Sequence, residues 1–179
     1  MLKKIALALV VIVLAFVGYV ALQPSDYRVA RSATISAPPT DVFAQVNDFR
    51  KWEAWSPWAK LDPAAKAVFE GPAAGPGAIF KWDGNAQVGA GTMTLTESRP
   101  GELVRIKLDF VKPIAAASTT EFTFKPQGNQ TAVTWAMSGQ NNFISRAVCM
   151  FMNQDKMVGG AFEQGLANMK AIVEAAAKK

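Results

Sequence analysis

The sequence predicts an α+β protein: a curved antiparallel sheet wrapped around one long C-terminal helix, with an N-terminal transmembrane helix in front. Three observations carry this. Residues 5–22, "IALALVVIVLAFVGYVAL", hold eighteen residues without a charge, enough to span a bilayer. From 66 to 138 apolar residues recur at every second position, the period of a half-buried strand. After 140 the recurrence lengthens to threes and fours, the period of a helix face.

Each element follows from local chemistry. Lys3 and Lys4 precede the apolar run, so the N-terminus is expected in the cytoplasm and the rest outside it. A cleaved signal sequence is the competing reading. It requires a small-x-small site at the end of the run, and Tyr19 stands two positions before Ala21. An uncleaved anchor is therefore favoured. Residues 1–25 form anchor (or signal) and linker, and 26–179 form the domain. "YRVARSATI", 27–35, is a first strand. Pro38 and Pro39 end it and open a short helix, with Thr40 or Asp41 as cap or first-turn acid. "VNDFRKWEAWSPWAKLDP", 46–63, follows and places three tryptophans three residues apart.

The meander then runs through "AVFE", the loop "GPAAGPG", "AIFKW", a tight turn at "DGN" (83–85) and "AQVGAGTMTLTES", where Gly89 and Gly91 signal a bend or bulge. "RPGE" turns the chain into "LVRIKLDF", and "TTEFTFKP" and "TAVTWAMSG" complete the set. Residues 143–179 read as helical, with Val158, Phe162, Leu166, Met169 and Val173 on one face. Gly159, Gly160 and Gly165 are poor helix formers and imply close approach of something against that helix.

Composition excludes several classes. The chain has 179 residues, half of them hydrophobic, and a net charge of +5 without a block of like charge, a poor match to nucleic acid. A single cysteine, Cys149, rules out an intrachain disulfide and a cysteine-based zinc site. Histidine is absent. That removes Ser-His and Cys-His nucleophiles, histidine metal sites and the usual general base near neutral pH. The glycine loops lack the GK[ST] of a phosphate cradle. The sequence calls for neither cofactor nor metal, and it leaves oligomeric state open.

Candidate residues come from face and parity. Trp52, Trp55 and Trp58 offer large apolar faces with one N–H each. They suit core, cavity wall or membrane contact, in that order. Phe80, Trp82, Met93, Leu95, Ile106, Leu108, Phe122, Trp135 and Met137 share the apolar face of the strands, and Phe162 lies on the helix face opposite. Met150, Met152, Met157 and Phe151 crowd the start of the terminal helix. Glu97 has the parity of Met93 and Leu95. Pointing inward it would be the one candidate acid or base; the ordinary alternative is an arginine pair at the strand end.

"SATISAPPTDVFAQVNDFRKWEAWSPW", "WDGNAQVGAGTMTLTESRPGELV", "TAVTWAMSG" and "FMNQDKMVGGAFEQGLANMK" together resemble the START-like helix-grip superfamily, in its bacterial polyketide cyclase/dehydrase and lipid-transport branch. The likeness covers about residues 27–175. It implies a helix-grip fold with a hydrophobic cavity between sheet and long helix, walled by the apolar residues named above. It further implies ligand binding, since many members hold lipids, sterols or polyketides without chemistry; a lipid, isoprenoid or polyketide-like ligand is expected here. No catalytic residue carries over.

Overall fold

The computed structural model describes residues 1–177. The order is α1 (Leu2–Leu22), β1 (Asp26–Ile35), α2 (Pro39–Val46), α3 (Trp52–Trp55), β2 (Lys66–Glu70), β3 (Ile79–Asp83), β4 (Ala90–Arg99), β5 (Leu103–Lys112), β6 (Ala116–Gln127), β7 (Gln130–Gln140), α4 (Phe143–Cys149) and α5 (Gln154–Ala176). The seven strands form one antiparallel sheet in the order β1-β7-β6-β5-β4-β3-β2. Only β1 is out of sequence, because its chain returns through α2 and α3 before the meander begins. α5 packs on the concave face, against β1 and α3.

Local signals explain most boundaries. Pro39 stands at the first turn of α2 with Asp41 beside it, where a missing N–H costs nothing and a negative charge meets the positive helix end. Thr40 does not cap: Pro38 holds that position, and no side chain accepts there. Asp48 caps the 3-10 turn Phe49–Lys51 by accepting from the Arg50 N–H at 2.9 Å. At "RPGE" the chain reverses through Gly101, whose φ of +71° suits glycine.

Two boundaries differ from the sequence reading. "DGN" is not a tight two-residue turn. The loop runs to Gly89, whose N–H donates to the Asn85 carbonyl at 2.7 Å, and the Asn85 side chain accepts from the Gln87 N–H. β4 therefore starts at Ala90, with a register shift between Ala90 and Gly91. The helical stretch from 143 is two helices, and its last positions, 178–179, lie outside the described residues. Asn142 accepts from the Ser145 N–H and Asn153 from the Lys156 N–H, each at 2.8 Å. Two asparagine N-caps eleven residues apart start two helices.

The glycines of α5 have the expected cause at two positions of three. A Cβ on Gly165 would lie 2.7 Å from Cζ3 of Trp135 and 3.2 Å from Cδ of Pro57. One on Gly159 would collide with the Arg31 guanidinium. Gly160 faces open space, and nothing in the structure explains it.

A candidate ligand surface on the concave sheet

Strand pairing sets inward side chains in rows across the sheet. One row is Phe80–Met93–Leu108–Ser118–Gly139–Tyr27. The next toward the C-terminal end of β1 is Leu95–Ile106–Thr120–Met137–Val29, followed by Val104–Phe122–Trp135–Arg31. On the other side lies Trp82–Gly91–Phe110–Ala116. The end bearing Trp82 and Tyr27 is where α1 joins β1; we call it the near end. The far end bears Ile35, Thr131 and Phe124.

The far half is closed. Trp135 stacks on Phe162 of α5 with centroids 4.1 Å apart and on Phe122 at 4.7 Å. Trp52 and Trp55 close over them at 4.6 Å from each other, and Phe43 of α2 meets Phe124 edge-on. Trp55 and Phe122 are fully buried. Trp52 Nε1 donates to the Val46 carbonyl at 2.9 Å and Trp55 Nε1 to the Gln45 carbonyl at 3.1 Å, so both indoles keep their hydrogen bonds when desolvated. Trp135 Nε1 is buried without a partner, a cost of about 1–3 kcal/mol for an amide-like donor.

α5 is clamped onto β1 along this half. Arg31 bonds Asp155 at 2.9 Å and Glu163 at 2.6 Å. Glu174 accepts from the Ser36 N–H at 2.8 Å, and Lys170 donates to the Thr34 carbonyl at 2.8 Å. The Arg31 hydrogen bond holds the Asp155 carboxyl below the usual carboxylate range, and the Ser36 N–H does the same for Glu174.

The near half is open by comparison. Tyr27, Phe80, Trp82 and Phe110 pack against the core yet remain partly exposed. Phe80 and Trp82 lie nearly parallel with centroids 6.0 Å apart, and Phe110 meets Trp82 edge-on. The Trp82 ring lies across Gly91, where a Cβ would fall 2.6 Å from its Cζ2. In this apolar wall Tyr27 Oη and Ser118 Oγ share a 2.7 Å hydrogen bond.

The sequence-derived residues therefore divide. Trp52, Trp55, Leu95, Ile106, Phe122, Trp135 and Phe162 are core in this structure. Met93, Leu108 and Met137, each under 10% exposed, line the boundary. Phe80 and Trp82 stand on the open rim, and Trp58, partly exposed, packs edge-on against Trp135 and Phe162 of the closed half. The interval between the far half of the sheet and α5 is filled by aromatic rings. Two depressions, of about 270 and 420 Å³, instead lie at the near end, one at Gly84–Ala86, Gly89 and Lys112–Pro113 and the other at Cys149–Gln154.

Glu97 does not point inward. A register shift between Leu95 and Glu97 breaks the alternation, so Glu97 pairs with Arg105 on the outer face and with Arg99 at 3.3 Å. The carboxylate proposed for acid–base work is half exposed and neutralised by arginines. Tyr27, Ser118 and Thr120 are among the inward polar residues that escaped the sequence reading. Parity would have found them, since Ser118 and Thr120 alternate with Phe122 and Phe124.

The profile of a family described as polyketide cyclase/dehydrase and lipid transport matches residues 26–174. A search of curated proteins finds no match. Among solved structures, protein CV1439 from Chromobacterium violaceum is 19% identical, with a TM-score of 0.59 over 85% of this chain and 99% of its own. MLL2253 from Mesorhizobium loti is 15% identical, with a TM-score of 0.61 over 83% and 98%. The di-domain ARO/CYC StfQ from the steffimycin biosynthetic pathway is 13% identical, with a TM-score of 0.60 over 87% of this chain and 53% of its own. At these identities the likeness is one of fold.

Proposed function

This chain belongs to the polyketide cyclase/dehydrase and lipid-transport family, and from that premise we propose that it is a membrane-anchored protein that binds a small hydrophobic ligand. The ligand class is lipid, isoprenoid or polyketide-like. The observation that carries this reading is the near-end wall: Phe80, Trp82 and Phe110 are aromatic, inward-facing and left partly uncovered. Apolar walls with a few placed polar groups are how proteins hold such molecules, and Tyr27 with Ser118 supplies the polar contact. α1 is long and apolar enough to cross a membrane. With Lys3 and Lys4 on the cytoplasmic side, the domain stands on the outer face of the inner membrane. The rival reading, a cyclase, dehydratase or hydrolase working through a cavity carboxylate, loses its candidate with the outward turn of Glu97.

The test is native mass spectrometry of the full chain released from mild detergent, followed by organic extraction. Wild type should retain one small apolar molecule beyond the lipid that clings to α1. Phe110→Arg should lose that molecule and keep the clinging lipid. Identical loads in both proteins would overturn the assignment of the near end.

A further inference from the structure

We infer that α4 and the linker after it form a second membrane contact, an interfacial element that seats the near end of the domain on the bilayer. The inference rests on reading α1 as an uncleaved anchor. It concerns a different segment and adds what α1 alone does not determine, the orientation of the domain.

Depth comes from length. The eighteen uncharged residues 5–22 of α1 rise about 1.5 Å each, roughly 27 Å in all, close to the about 30 Å of a bilayer's hydrocarbon. The last turn of α1 therefore ends at the membrane boundary. α4 is fastened to that turn. Arg146 Nη1 donates to the Ala21 carbonyl at 3.0 Å and to the Gln23 carbonyl at 3.2 Å. These belong to the carbonyls that a helix C-terminus leaves unpaired, and a guanidinium there also complements the helix dipole. Val20, alone in α1, is buried. α4 is thus held at the depth of the lipid headgroups.

Its exposed surface suits that depth. Ile144 is 61% exposed, Phe151 80% and Met152 48%. Phe143, under the Arg146 guanidinium at 5.9 Å, is 40% exposed. At the same end of the sheet, Val111 near the end of β5 is 63% exposed and Ile114 in the β5–β6 connection 36%, with Lys112 between them. Outside α1, most of the large exposed apolar side chains gather at this one end of the domain. Bulky apolar residues beside a basic one are the composition of a segment lying in the interface. The occupant of this patch is the bilayer that holds α1. A protein partner would have to enter the headgroup layer to reach it. The near-end aromatic wall then opens toward the same membrane, and a ligand can pass between the two without crossing bulk water.

The experiment uses the full chain in vesicles of phosphatidylethanolamine and phosphatidylglycerol. Cys149→Ser removes the native thiol, and single nitroxide labels are placed by Phe151→Cys, Ile144→Cys, Val13→Cys and Lys125→Cys. Collision with a water-soluble nickel chelate and with oxygen reports depth. Positions 144 and 151 should show several-fold lower nickel accessibility than position 125, with position 13 deepest of all. Positions 144 and 151 as accessible as 125, with 13 still in lipid, would overturn this inference while sparing the anchor, and would hand the patch to a protein partner. Position 13 in water would overturn the anchor and this inference with it. Ile144 and Phe151 project outward, so labelling them removes no core packing.

Discussion

The two ends of one concave sheet use aromatic residues in opposite ways. At the far end Trp55, Phe122, Trp135 and Phe162 are sealed under α3 and α5. At the near end Phe80, Trp82 and Phe110 share the same face and the same alternation, yet stay partly uncovered. The difference lies in the cover. The clamp of α5 to β1 begins opposite Arg31 and ends at Ser36, so it spans the far half alone. Similar residue types become core where a helix lies over them and stay a partly open apolar wall where none does.

Truncation separates the ends most strongly. Trp55→Ala should destabilise by about 3–5 kcal/mol, the range for a buried aromatic, whereas Phe110→Ala should cost roughly 2 kcal/mol or less because it is partly solvated already. Denaturant titration of the two full-length variants decides; equal losses would erase the contrast. Next in size is the helix contact. Gly165→Ala should cost about 1–3 kcal/mol by forcing a methyl into Trp135, while Gly160→Ala, with open space before it, should gain roughly 0.5–1 kcal/mol in helix propensity. Two changes of one methyl each, five residues apart, should move thermal stability in opposite directions.

The clamp itself is pH-sensitive. Asp155 and Glu174 are held below their usual range when folded. Their contribution is present above the unfolded-state range and is lost as pH falls through the lowered folded values. Amide protection of α5 should therefore weaken below the ordinary carboxylate range, and Asp155→Asn with Glu174→Gln should flatten that acid limb. A limb of unchanged slope would remove these two groups from the account. The smallest effect is expected at Glu97→Gln: stability within about 1 kcal/mol, as for exposed ion pairs, and no change in ligand retention. Loss of ligand in that variant would return Glu97 to the site.

Much of the architecture was legible. Val104, Ile106 and Leu108 alternating with Arg105 and Lys107 made β5 unambiguous, and the observed strand keeps that face. The start of α2 was legible from Pro38 and Pro39. The rim residues Phe80 and Trp82 were named, though not distinguished from Leu95 or Phe122. Glu97 was misplaced because parity counting assumes an unbroken ladder, and the register shift after Leu95 has no local residue signature. The break before α5 did have one, the Asn153 cap.

The sequence by itself determined the run of strands between the tryptophan segment and a C-terminal helical stretch, the inward face of β5, β6 and β7, the helix face of α5 and the long apolar N-terminal helix. Those depend on spacing and on residue chemistry within a few positions, which the chain carries locally. Only the tertiary structure decided which rows lie under α5, that Trp135 and Phe162 fill the interval where a cavity was expected, and that Arg146 ties α4 to the end of α1. Those depend on contacts between residues far apart in the chain, 27 positions for Trp135 and Phe162 and more than a hundred for Arg146 with α1 and for α5 with β1, and no local period encodes where two distant surfaces meet.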